Sequence, residues 1–184
     1  MTFKSSFLMA RILKPAEFTS ADTVRLAREL IGKQLVRTDT ATRIVQRLRI
    51  IETEAYDGPE DLACHASKGR TTRTEVMFGP AGHWYVYLIY GMHQMLNLVT
   101  GPQDYPAAIL IRGLESVSGP GRLTKRLGIG KELNSLPAKR QSGLHLEDAP
   151  RVDDALVKAT PRIGIDYAGP DWSQRPYRFV ADLA

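Results

Sequence analysis

Hydrophobic and polar positions along this chain follow two periods, and the places where the period changes outline its elements. Val24, Ala27, Leu30 and Ile31 recur at helical spacing, between a Thr19-x-x-Asp22 pair resembling a capping box and Gly32 at the C-cap position. A short strand over residues 34–37 and the turn signal Asp39-Thr40 lead into a long strand over 43–56, closed by Asp57-Gly58-Pro59. Residues 60–67 suit a single helical turn, and the polar, basic run 70–75 suits a surface loop. Aromatic and β-branched residues predict strands over 84–90 and 92–99, with Tyr90-Gly91 at the turn between them, and a third strand over 107–114. Ser118-Gly119-Pro120-Gly121 opens a basic helix over 122–127, residues 131–150 read mostly as loop, and a closing strand covers 177–180. Residues 1–18 read as a loose N-terminal arm with a short apolar piece, Ile12-Leu13.

Strand alternation sorts the side chains into faces. Ile50, Glu52, Glu54 and Tyr56 fall on one face of the long strand, with Ile51, Thr53 and Ala55 on the other. Two carboxylates two residues apart stand roughly 7 Å apart, and a strand this apolar is largely buried. A buried carboxylate is costly unless it is paired or used, so this pair either meets arginines or water at a sheet edge or carries chemistry. In the aromatic strand, Tyr85, Tyr87 and Ile89 share one face and Trp84, Val86, Leu88 and Tyr90 the other. Such a strand serves first as core, but Tyr56 and Tyr87 also suit the walls of a slot that stacks a flat ring. Tyr90 beside Gly91 suits the apolar wedge that DNA-kinking proteins insert from the minor groove.

Composition narrows the class. With 184 residues, 43% hydrophobic and no low-complexity tract, the chain is expected to form a single domain over 1–184. Lys and Arg number 25 against 20 Asp and Glu, which suits a polyanionic partner without proving one. Candidate contacts to a phosphate backbone are Arg70, and Gly119, Gly121, Arg122 and Lys125 around the start of the basic helix, where unpaired N–H donors and close backbone approach meet positive charge. A single cysteine, Cys64, suits a reducing compartment. The apolar piece Phe7-Leu8-Met9-Ala10 is cut short by Arg11 and no 18-residue apolar run exists, so an intracellular protein without a membrane span is expected. His65, His83, His93 and Cys64 lack the spacing of a metal site, and no thiol-protease motif or G-x-S-x-G elbow is present.

The stretches IETEAYDGPEDLACHASKGR, WYVYLIYGMHQMLNLV, ILIRGLE and SGPGRL, in this order, resemble the 3-methyladenine (alkyladenine) DNA glycosylase family, from about Leu26 to the C-terminal strand. The resemblance implies an α+β fold: one mixed domain with a curved antiparallel β-sheet and a protruding β-hairpin, like the formyltransferase C-terminal domain. It implies base flipping without metal or cofactor. Residue by residue, Glu54 matches the carboxylate that activates the attacking water, and Arg112 and the Ile163 carbonyl match the groups that help hold that water. Tyr56, His65 and Tyr87 match the walls of the base pocket, Asn97 the side chain that discourages guanine, and Tyr90 the residue that fills the hole left by the flipped nucleotide. His93 departs from the aromatic of close relatives, and residues 130–150 resemble the family only loosely.

The expected partner is double-stranded DNA carrying damaged purines, met by a monomer in a bacterial cytoplasm or nucleoid, or in a nucleus. Breaking a purine N-glycosidic bond builds positive charge on the sugar, which one carboxylate can stabilise while acting as general base. Nothing in that scheme needs a lysine nucleophile, so a monofunctional enzyme leaving an abasic site is expected. Two alternatives stand beside it: a non-catalytic nucleic-acid-binding module, which leaves Glu54 unexplained, and a metal-dependent nuclease using Glu52 and Glu54, which EDTA would silence.

Overall fold

The computed structural model describes residues 10–182. Helix α1 (Thr23–Glu29) is capped by Asp22, whose Oδ1 accepts the Arg25 amide at 2.9 Å. Thr19 takes no part in that cap, because its hydroxyl donates to the Ala16 carbonyl. Gly32, at φ +89°, stops the helix where the sequence predicts. The chain then forms β1 (Gln34–Thr38) and β2 (Val45–Tyr56), joined through Asp39, whose Oδ1 accepts the amides of Ala41 and Thr42.

Strands β3 (Trp84–Ile89), β4 (His93–Thr100), β5 (Ala107–Leu114) and β6 (Val117–Ser118) follow, then α2 (Pro120–Arg126) and β7 (Leu144–Glu147). Strand β8 (Val157–Thr160), helix α3 (Gly169–Gln174) and β9 (Arg178–Ala181) complete the described chain. All pairings are antiparallel, in the order β3-β4-β5-β2-β1-β7, with β6 beside β5 and β9 bridging β2 and β8. The sheet is curled and carries few helices, an α+β fold.

Helix α1 packs on β2 and β5, and α2 on β4 and β5. Leu26, Ala27, Leu123 and Leu127 meet Trp84, Val86, Leu96, Leu98, Ile109 and Ile111 in the main core. Trp84 is fully buried and spends its indole N–H on the Leu144 carbonyl, so no polar atom of the ring is stranded. Each such large apolar side chain contributes about 1.5–3 kcal/mol on burial.

Strand β2 departs from simple alternation. Ile50 pairs with Leu114, Glu52 with Gly113 and Thr53 with Ile111, so Ile51 is one extra residue on β2 and Arg112 one extra residue on β5. These two offsetting bulges turn Ile50 into the main core with Ala55, and leave Glu52, Glu54 and Tyr56 together on the opposite side. The predicted four-residue face of Ile50, Glu52, Glu54 and Tyr56 is corrected accordingly, since a bulge inverts the alternation beyond it.

Three further expectations change. Residues 10–18 are docked rather than loose: the Leu13 amide donates to Leu146 O, Leu13 and Phe18 are buried, and Arg11 pairs with Glu17 and Asp148. Residues 1–9 of the expected arm lie outside the described residues. Residues 131–150 contain β7, whose Leu144 and Leu146 are fully buried against β1. His145 and Glu147 between them disguise the strand, and both are buried because Glu147 accepts from Arg47 and pairs with His145. Strand β8 and helix α3 were likewise not anticipated.

Candidate active site

Below the β3–β4 hairpin lies a cavity of about 810 Å³. Its wall from β3 is Tyr85, Tyr87 and Ile89, while Trp84 and Val86 point into the core, as the alternation predicts. Tyr56, His65, Asn97, Arg112 and Ile163 reach the same cavity from five other parts of the chain. The structure thus brings together every residue expected in the base pocket.

Glu54 sits behind this wall, 0% exposed. Its Oε1 accepts the Ile163 amide at 2.9 Å and lies 3.4 Å from Arg112 Nε, and its Oε2 accepts the Tyr56 hydroxyl at 2.9 Å. A carboxylate offers about four lone-pair sites, so two hydrogen bonds leave capacity for a water. Burial raises the Glu54 pKa above the usual glutamate value, and Arg112, the Ile163 amide and Tyr56 only partly oppose it. Ile163 therefore engages the carboxylate through its N–H, a contact that the expectation about its carbonyl did not include. The Tyr56 hydroxyl is itself held protonated, its pKa raised by burial and by the adjacent Glu54 charge.

Glu52 is occupied differently. Its Oε1 accepts Arg112 Nε at 3.0 Å and Arg178 Nε at 2.6 Å, so Arg112 bridges the two carboxylates of β2. Below Tyr56, Arg162 and Asp61 form an ion pair with both side chains at 0% exposure. Arg162 also donates to the Ala55 carbonyl, and its guanidinium carbon lies 4.9 Å from the Tyr56 ring centre. Arg162 immediately precedes Ile163, and its bond to the Ala55 carbonyl braces that amide against β2. Sequence reasoning singled out neither Arg178 nor the Asp61–Arg162 pair, whose members stand 101 residues apart, so no local spacing marks them.

His65 contacts the Tyr87 ring at 4.6 Å between centres, and its Nδ1 shares a hydrogen bond with the Tyr85 hydroxyl at 3.0 Å. Burial, aided by Arg73, pushes its pKa down to about 4, so the ring is neutral at pH 7. Arg73 was not singled out either; its guanidinium carbon lies 4.9 Å from the Tyr87 ring centre. Asn97, buried on β4, donates from Nδ2 to the Tyr85 carbonyl at 3.1 Å, which fixes it in the cavity floor.

At the hairpin tip Tyr90 (φ +50°) and Gly91 (φ +67°) both have left-handed backbones, and the Met92 amide closes the turn on the Ile89 carbonyl. Asn or Asp is favoured at the first of two such positions, so tyrosine there is strained. Tyr90 is 83% exposed and Met92 and Leu88 are exposed beside it. The strand alternation places Tyr90 away from the slot of Tyr87, and this is corrected: the left-handed turn takes Tyr90 out of that alternation and puts it on the lip of the same cavity.

The expected phosphate contacts divide. Arg122 and Lys125 are exposed on α2 and make no ion pair among the described residues. Gly119 has φ +98°, which favours glycine for the turn itself. At Gly121 a Cβ would come within 2.9 Å of His93 Cγ, so the glycine admits the imidazole of His93. Arg70 is engaged by Glu75 and Asp104 and lies over Phe78, so it reaches a phosphate only by releasing those partners.

The chain matches the family model described as methylpurine-DNA glycosylase over residues 17–118 and 115–183. It is 46% identical to a protein of Methanocella arvoryzae over 185 residues, covering 90% of each chain. A protein of Myxococcus xanthus is 47% identical over 89% of this chain and 87% of its own, and one of Legionella pneumophila 42% identical over 93% and 94%. All three carry the provisional name 3-methyladenine DNA glycosylase. Fold, site and relatives together define a DNA glycosylase, an enzyme of DNA repair. The chain belongs to the methylpurine-DNA glycosylase family.

Proposed function

We infer that this enzyme takes alkylated or deaminated purines, such as 3-methyladenine, 7-methylguanine and hypoxanthine, out of duplex DNA and hydrolyses their N-glycosidic bond with water activated by Glu54. The observation that carries this is one buried carboxylate, clasped by Arg112, the Ile163 amide and Tyr56, directly behind a cavity walled by aromatic rings. The raised Glu54 pKa suits a proton acceptor, because a stronger base takes the water's proton more readily. As the bond breaks, the same negative charge offsets the positive charge that develops on the sugar.

An alkylated purine is electron-poor and often cationic, which favours its stacking on Tyr56 and Tyr87. A neutral His65 completes the wall without repelling such a base. Asn97 stands in the floor, where a fixed side chain obstructs the 2-amino group that separates guanine from hypoxanthine. Tyr90, exposed at the hairpin tip, supports a role as the wedge that holds the emptied stack open.

Two features weigh against the alternatives. Both carboxylates of β2 already face arginine, so their charge is met without a divalent cation. A purely binding module has no use for a sealed carboxylate with a raised pKa. Lys68 also lines the cavity, but it is exposed, and the scheme gives it no covalent step. The deciding experiment is release of free base from duplexes carrying each of the three lesions, with EDTA present and borohydride in a parallel reaction. Free base, an intact abasic strand and no trapped protein–DNA adduct are expected. Loss of activity in EDTA, or an adduct through Lys68, would replace this mechanism.

A further inference from the structure

Four charges of alternating sign run across the back of the cavity: Arg178, Glu52, Arg112 and Glu54. Their order is set by contacts, with Arg178 Nε 2.6 Å from Glu52 Oε1, Arg112 Nε 3.0 Å from the same atom, and Arg112 Nε 3.4 Å from Glu54 Oε1. The offsetting bulges at Ile51 and Arg112 create this arrangement, and Arg178 is further tied to the Thr160 hydroxyl at 3.1 Å. Arg112 is therefore divided: its shorter contact goes to Glu52, and Glu54 receives the longer one.

We propose that Glu52 and Arg178 are positioning residues for base excision: Glu52 holds Arg112 back from Glu54, so that the latter keeps a lone pair open to water, and Arg178 limits how far Glu52 draws Arg112 away. This rests on Glu54 being the general base. Removing the Glu52 charge lets Arg112 close fully on Glu54 and favours its ionised form. Removing the Arg178 charge has the opposite effect, because Glu52 then draws Arg112 away. A merely structural salt-bridge network would give both substitutions the same outcome, lower stability.

Other charged and titratable groups around Glu54 do not confuse the signs. Arg162, paired with Asp61, stays charged throughout. Tyr56, Tyr87 and Tyr167 have pKa values raised by burial and stay neutral in the acid range. His65 titrates near 4, but it lies against Tyr85 and Tyr87 rather than in the chain of charges.

The test is the pH dependence of single-turnover excision from a duplex containing 7-methylguanine, whose fixed positive charge leaves the acid limb to the enzyme. Glu52→Gln should move the acid limb down by about one pH unit and Arg178→Gln should move it up by about one, the usual scale for a neighbouring charge. Glu52→Asp should return it towards the parent. If Glu52→Gln melts below the assay temperature, Glu52→Asp and Arg178→Lys carry the same opposite-signed shifts at reduced size. Acid limbs that coincide with the parent in folded variants, or that move in the same direction, overturn the proposal. A fully active Glu54→Gln would instead overturn the assignment of the base, and so separates the two failures.

Discussion

Replacing Glu54 by glutamine changes one atom in a sealed site, and its consequences can be worked through contact by contact. The amide oxygen can take the place of Oε1, accepting the Ile163 amide and facing Arg112, while the NH₂ group faces Tyr56, whose hydroxyl proton turns away. Shape and packing survive, but the site loses its proton acceptor and its charge. General-base catalysis contributes about 10²–10⁴ in rate, or ~3–5 kcal/mol at 1.36 kcal/mol per tenfold. A charge about 4 Å from a developing cation adds a contribution on the order of 4 kcal/mol at an effective dielectric of 20. The two overlap, so the expected loss is at least about a thousandfold. Stability should change little, because removing a buried charge relieves desolvation while the lost charge–Arg112 attraction opposes that gain. With about 2–4 °C per kcal/mol for a chain of this size, the melting temperature should stay within about 4 °C. Single-turnover base release, melting and lesion-duplex binding are the three measurements. A folded Glu54→Gln protein that excises within tenfold of the parent rate would refute the assignment.

The same geometry makes four further predictions. Asn97→Ser should raise excision of undamaged guanine while other activities persist, because serine no longer reaches the Tyr85 carbonyl that fixes the obstacle; guanine release at background would refute this. Arg122→Ala with Lys125→Ala should flatten the slope of log affinity against log salt by about one unit per lost phosphate contact, and an unchanged slope would remove α2 from the DNA surface. Tyr90→Ser should reduce the flipped fraction reported by a fluorescent base beside the lesion, with near-normal cleavage of lesions already unpaired. Tyr90→Gly should flip as poorly yet melt a few degrees higher, since relief of a left-handed tyrosine gains about 1 kcal/mol and little packing is lost at 83% exposure.

The amino-acid sequence alone determined the local parts of this protein. Aromatic and β-branched alternation set β3, β4 and β5 and the faces of Tyr85 and Tyr87, because a strand's period is a property of the backbone. That Tyr56, His65, Tyr87 and Asn97 share one cavity was also legible, through the family resemblance, because they lie in uninterrupted motifs. What the tertiary structure alone decided depends on contacts between distant segments. The inversion of Ile50 arises from bulges shared by two strands, and neither strand's sequence contains the register of its partner. Arg178 reaches Glu52 across 126 residues, and the Asp61–Arg162 pair is burial-dependent, so both are invisible to spacing. β7 was concealed because its buried His145 and Glu147 read as surface residues until Arg47 is placed beside them. Whether a charge in a sequence faces water or a partner is decided only when the chain has folded, since its energy depends on what surrounds it.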